Sequence, residues 1–201
     1  RRCSAGDNMS GLGDIVGKEV ITADAIIIGT VEGVAVDTEN WKIPAVSVKV
    51  RKGNEGALGL NKRLVGAHKV YVATPQVASV SDTVTLAVKK DQVSEVLVDG
   101  KRLPVTASIM LHKKVVGKDG KRIGVIDNVH FDAARGWEVT KLGIKLDKDA
   151  KQALELQKGL APASQITILT KDVKSVGDMV MLRLDLEGLK EYINKKPVSK
   201  K

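Results

Sequence analysis

The chain repeats itself. In the stretch Asp24-Ala-Ile-Ile-Ile-Gly-Thr-Val-Glu-Gly-Val-Ala-Val-Asp37, residues Asp24, Gly29, Val34 and Asp37 recur as Asp119, Gly124, Val129 and Asp132, at a constant offset of 95. One extra residue in the turn that follows moves the offset to 96, and Trp41 meets Trp137. Thr74, Val77, Ser79, Val80, Asp82, Val84 and Leu86 then fall on Thr170, Val173, Ser175, Val176, Asp178, Val180 and Leu182. A sustained offset means one structural unit laid down more than once. Whatever fold the 201 residues adopt must therefore be small enough to be built twice.

Each copy reads as β-structure. Ala45-Val-Ser-Val-Lys-Val50 alternates with period two, which sends Val46, Val48 and Val50 inward and Ser47 and Lys49 outward. Its counterpart, Lys141-Leu-Gly-Ile-Lys-Leu146, points Leu142, Ile144 and Leu146 inward. Further strands are expected at Lys69–Ala73 and Gln165–Leu169, and at Asp82–Val88 and Asp178–Leu184. Aromatics make up only 2% of the residues. Val, Ile and Leu suffice for the interior of a small barrel or sandwich, which is the architecture that short strands at near-regular spacing predict. Gly29 and Gly124, inside strand-like segments, mark a bulge or a sharp bend of the sheet. Asp119-Gly120 is a turn that wants positive φ; Ala25 at the matching place predicts a different turn in the first copy.

The organisation that follows is mainly β. It comprises a flexible tail over 1–14, a first barrel at 15–88, a connecting hairpin at 89–108, a second barrel at 109–185, and a helix turn with a basic tail at 186–201. Met9-Ser10 is a candidate native start. The connection is predicted as a hairpin over Val96–Val105, closed by Asp99-Gly100. The glycine-rich Arg51–Leu60 insertion of the first copy is expected to be mobile. In the second copy Asp147–Lys158 reads as a short helix, capped by Asp147 or Asp149 and stopped by Gly159.

Chemistry-bearing patterns are few. Cys3 is the sole cysteine, so neither an internal disulfide nor a thiolate zinc cluster can form. A reducing, cytoplasmic setting suits a free thiol. His68, His112 and His130 sit in no HExxH pair and beside no cysteine, and read as solvated or hydrogen-bonded residues. No nucleophile elbow, phosphate loop or dinucleotide fingerprint occurs. The repeated Asp24, Asp37, Asp119 and Asp132 read as turn residues whose side chains bond local backbone. No catalytic, cofactor or metal site is expected, and the chain is read as a non-enzyme.

Two features suggest partners. The formal charge of +9 lies wholly in residues 101–201, where Lys113, Lys114, Lys118, Lys121 and Arg122 cluster. Such a patch suits an acidic protein segment or the phosphates of RNA, although few rings are near for base stacking. Trp41 and Trp137 each follow a turn. Exposed, such a ring anchors a partner; buried, it plugs a barrel end or the contact between modules, and the scarcity of aromatics favours burial. The proposed partner-binding residues are Trp41, Trp137, Lys113, Lys114, Lys121 and Arg122.

These residues resemble a known family. Val16-Gly-Lys-Glu-Val20 with Asp24, Gly29, Val31, Val34 and Asp37, closed by Val80-Ser-Asp-Thr-Val-Thr-Leu86, is similar to the PRC-barrel domain. Lys118–Asp132 with Val176-Gly-Asp-Met-Val180 carries the pattern more fully in the second copy. The resemblance implies a small β-barrel without catalytic residues, of the kind found in the photosynthetic reaction-centre H subunit and the C-terminal half of the ribosome maturation factor RimM. Its tandem form looks most like archaeal cell-division proteins that work with SepF and FtsZ. It implies an adaptor that binds division proteins or itself as a dimer, with an RNA- or ribosome-associated role as the alternative.

Overall fold

The computed structural model describes residues 9–61, 66–104, 110–156 and 164–195. It is mainly β, with thirteen strands and three short α-helices among the described residues. Two compact units form: Arg1–Ser108 with His130–Val139, and Ile109–Val129 with Thr140–Lys201. The boundary is thus not a single point of the sequence, because the tip of the hairpin at 130–139 belongs to the first unit.

The first unit is built on β2 (Glu19–Ile21), β3 (Ile27–Val34), β4 (Ala45–Val50), β5 (Lys69–Ala73), β6 (Val77–Val80) and β7 (Val84–Leu86), in spatial order β5-β4-β3-β2-β7-β6. The second repeats this with β8 (Lys114–Val116), β9 (Arg122–Asp132), β10 (Glu138–Leu146), β11 (Gln165–Leu169), β12 (Val173–Val176) and β13 (Val180–Leu182), in order β11-β10-β9-β8-β13-β12. Register repeats as well as order. Val20 faces Gly29 and Val84; Val115 faces Gly124 and Val180. The irregularities recur too, at Val20/Ile21 and Val115/Val116, and at Val77/Ser79 and Val173/Ser175. The outermost strands, β5 with β6 and β11 with β12, are not bonded to each other among the described residues, so each sheet curls without closing into a hydrogen-bonded ring.

The cores match position by position. Val20, Ile28, Val31, Val46, Val48, Val72, Val84 and Leu86 are buried in the first unit, and Val115, Ile123, Ile126, Leu142, Ile144, Ile168, Val180 and Leu182 in the second. Branched aliphatics on a tight sheet supply this packing without rings. Gly29 and Gly124 have a specific cause: a Cβ there would stand 2.2 Å from the Lys49 carbonyl oxygen and 2.1 Å from that of Lys145. Close approach of backbones, not a ligand, requires the glycine.

Several expectations are corrected. Residues 9–14 are not tail: β1 (Met9–Gly11) pairs with His130–Asp132, and α1 (Leu12–Ile15) buries Leu12 and Ile15. Ala25 takes φ 60 beside Gly120 at φ 77, so both turns have the same hand despite the Cβ of alanine. Ser47 is buried on the outer face, because its cross-strand neighbour Tyr71 is covered in turn. A Cβ on Gly100 would meet the Tyr71 ring at 2.5 Å.

That cover comes from the connection, which is not a hairpin in its described part. Lys90–Val96 and Gly100–Arg102 are 3-10 helices, Leu97 bridges to Val72, and Val98 N–H donates to the Tyr71 carbonyl. Asp99 accepts from Lys101 N–H, so Asp-Gly starts a helical turn instead of reversing a strand. Val105 lies outside the described residues. The Arg51–Leu60 loop is anchored: Leu58 is buried, and Asn54 donates from its amide to the Ile27 carbonyl at 2.9 Å.

Helix α2 (Lys148–Ala153) lies in the expected segment but ends at Ala153, well short of Lys158, and Asp147 offers it no side-chain cap; its carboxylate instead meets Arg122 at 2.6 Å. Gly159 lies outside the described residues. Helix α3 (Leu186–Lys195) is longer than a turn and takes in Asn194 and Lys195. Leu189 is buried like Val93, its counterpart at an offset of 96.

Candidate functional site

The repeated aspartates act on backbone. Asp37 accepts from Glu39 and Asn40 N–H, and Asp132 from Ala134 and Arg135 N–H. Asp119 accepts from Lys121 N–H; Asp24 accepts from the Thr22 hydroxyl and from Lys90 N–H. The Asn40 side chain holds Asp37 below the ordinary carboxylate range, and the Thr22 hydroxyl does so for Asp24. Asp24 and Asp37 are thus stabilised anions fastening turns. No group of three metal-capable side chains gathers among the described residues.

Both tryptophans sit in the left-handed region, Trp41 at φ 51 and Trp137 at φ 62. They lie in one place. Within the first unit, Ile43 N–H donates to the Trp137 carbonyl at 2.9 Å and Val139 N–H to the Trp41 carbonyl at 2.7 Å, around a Lys42–Glu138 bridge. Lys42 and Glu138 are repeat counterparts at the offset of 96, and the two flanking bonds are equivalent by the same repeat. Trp137 is 6% exposed and stacks on Phe131 with centroids 5.4 Å apart, so its ring is not available to a partner. Trp41 is half-buried. The first copy has Val36 where the second has Phe131, so it lacks the stacking ring.

The basic cluster is largely neutralised. Lys118 meets Asp185 at 2.9 Å, Lys121 meets Asp119 at 3.6 Å, and Arg122 meets Asp147 at 2.6 Å. Asp185 is held low by Gly188 N–H and by Lys118, and Lys118 is raised by Asp185. Lys113 donates to the Gly177 carbonyl at 2.6 Å. Lys114 is exposed and has no ion pair among the described residues. Of the six residues singled out from sequence, Lys113 and Lys114 come together, Lys121 and Arg122 are paired elsewhere, and the tryptophans form a separate structural knot.

Lys113 and Lys114 line a groove of about 510 Å³ in the second unit, with Leu111, His112, Asp178 and Met179. Met179 is 47% exposed; among the described residues the other large apolar side chain so placed is Val16, the first-copy counterpart of Leu111. His112 is exposed at φ 68. Sequence reading missed Leu111 and Met179. The signal was present in the repeat: Val16, Gly17, Lys18, Glu19, Asp82 and Thr83 hold the matching positions.

No helix among the described residues is long and apolar enough to cross a membrane. No curated protein matches the chain. Among solved structures it is similar to a 16S ribosomal RNA processing protein RimM from Pseudomonas aeruginosa, at 12% identity over 79% of this chain and 98% of that one, with a TM-score of 0.28. The PRC-barrel domain model matches residues 7–93, the first copy and not the one whose motif looked fuller. Residues 7–93 therefore carry a PRC-barrel domain.

Proposed function

We propose that the chain is a non-catalytic, cytoplasmic adaptor that presents two PRC-type modules to protein partners. The observation that carries this reading is the engagement of its polar groups. The repeated aspartates fasten turns, and three of five clustered cations are held by carboxylates. Loop surface on a rigid scaffold is the usual place for recognition. The finer reading, an archaeal division component meeting SepF- or FtsZ-type machinery or a second copy of itself, rests on the family resemblance.

Affinity purification from the native cells with mass spectrometry tests it. Division proteins are the expected co-purifying set; ribosomal proteins alone would sink the division role. An RNA role demands retention of RNA at low salt with a steep fall as salt rises. The neutralised cluster argues against that outcome.

A further inference from the structure

We propose that the groove lined by Leu111, His112, Lys113, Lys114, Asp178 and Met179 docks an acidic protein segment carrying an apolar side chain. The proposal rests on the adaptor reading and names the surface and the chemistry of the partner.

The duplication supplies an internal control, because the scaffold of this groove is built twice. Lys113 donates across it to the Gly177 carbonyl, and Lys18 donates to the Ser81 carbonyl. His112 N–H donates to the Ile126 carbonyl, and Gly17 N–H to the Val31 carbonyl. Gly177 N–H donates to Met179, and Ser81 N–H to Thr83. Both loops pass through a left-handed residue, φ 88 at Gly17 and φ 68 at His112. The shared scaffold therefore accounts for Lys18 and Lys113.

It does not account for three differences. The left-handed position holds glycine in the first copy and histidine in the second, where the Cβ is disfavoured. Glu19 is replaced by Lys114, which inverts the charge. Thr83 is replaced by Met179, which puts a flexible apolar side chain into water at 47% exposure. None of these helps the fold by itself: one strains backbone, one leaves a cation without an ion pair, one exposes a thioether.

Together they make a recognition surface. Met179 and Leu111 offer an adaptable apolar floor, and Lys113 and Lys114 offer two cations against the one carboxylate of Asp178. That balance selects acid around an apolar anchor. RNA fits less well, since the lining holds no ring beyond one imidazole for stacking.

The test is fluorescence anisotropy on the full chain, with a labelled peptide in which Asp and Glu flank a single Leu. Binding is expected to weaken about tenfold or more when that Leu becomes Ala, when the acids become lysines, or in the protein variant Met179→Thr/Lys114→Glu, which restores the residues of the first copy. Circular dichroism of the variant should match the parent. The partner swap, Glu19→Lys/Thr83→Met, should leave the original affinity intact. Equal affinity in the Met179/Lys114 variant, no saturable binding to the parent, or displacement by single-stranded RNA overturns the proposal. Purification from cells separates its failure from that of the adaptor reading. If the variant retains the same proteins as the parent, the groove is wrong and the adaptor stands; if the parent retains no protein, the adaptor reading itself fails.

Discussion

Gly124→Ala is the most informative single change. The added Cβ would stand 2.1 Å from the Lys145 carbonyl oxygen and 3.0 Å from Leu146 Cα. Relaxed contacts of this kind need more than 3 Å, so β9 and β10 must part by roughly 1 Å where their backbones cross. Neither neighbour is a flexible side-chain end that can swing aside. Ile123 and Ile144 are fully buried around this crossing, so the displacement is felt by the core. Overpacking against rigid backbone costs about 1–3 kcal/mol, and the loss of ladder geometry places this case at the upper end, about 3 kcal/mol. Urea denaturation read by circular dichroism should give that loss with an unchanged m-value, and thermal melting a fall of about 6–12 °C. Gly33→Ala is the control, in β3, where an added Cβ meets nothing within 4 Å; it should stay within about 0.5 kcal/mol. A Gly124→Ala protein as stable as the Gly33→Ala protein would refute the close-approach account of both repeat glycines.

Three further outcomes follow from the same geometry. Ala25→Gly should stabilise by about 0.5–1 kcal/mol because alanine sits at φ 60 where Gly120 sits at φ 77; a lower melting temperature would contradict this. Trp137→Ala should cost about 3–5 kcal/mol, since the ring is buried on Phe131, while Trp137→Phe keeps most of the stack and should cost clearly less in urea. Asp185 is held below its ordinary value by Gly188 N–H and Lys118, so its contribution is full above the unfolded value of 3.8 and disappears as pH falls through the lower folded value. The melting temperatures of parent and Asp185→Asn should therefore differ at pH 7 and converge in strong acid; a difference that persists in acid counts against the anion as its source.

The sheet was legible in the sequence because its information is periodic. Alternation placed Val46, Val48 and Val50, and their partners Leu142, Ile144 and Leu146, on the buried face. The offsets of 95 and 96 placed each strand beside its equivalent. Ser47 escaped the pattern because alternation states which face a residue is on, not whether something later in the chain covers that face. The Asp99-Gly100 turn escaped for a related reason. Its dipeptide suits both a hairpin and the start of a 3-10 turn, and the Tyr71 ring that packs against Gly100 comes from a distant strand. Ala25 took the conformation of Gly120 because the flanking register is common to both copies, and tertiary constraint outweighs the local cost of a Cβ.

The candidate site was less legible because charge in a sequence carries no pairing. Lys118, Lys121 and Arg122 look like one patch with Lys113 and Lys114 until Asp185, Asp119 and Asp147 arrive beside them, two of these from distant parts of the chain. Duplication recovers what composition cannot. Where both copies hold the same residue in the same geometry, as with Lys18 and Lys113 on their carbonyls, the fold is reason enough for it. Where the geometry persists and the residue changes toward strain or exposure, as at His112 and Met179, the fold gives no reason, and the search for function narrows to those positions.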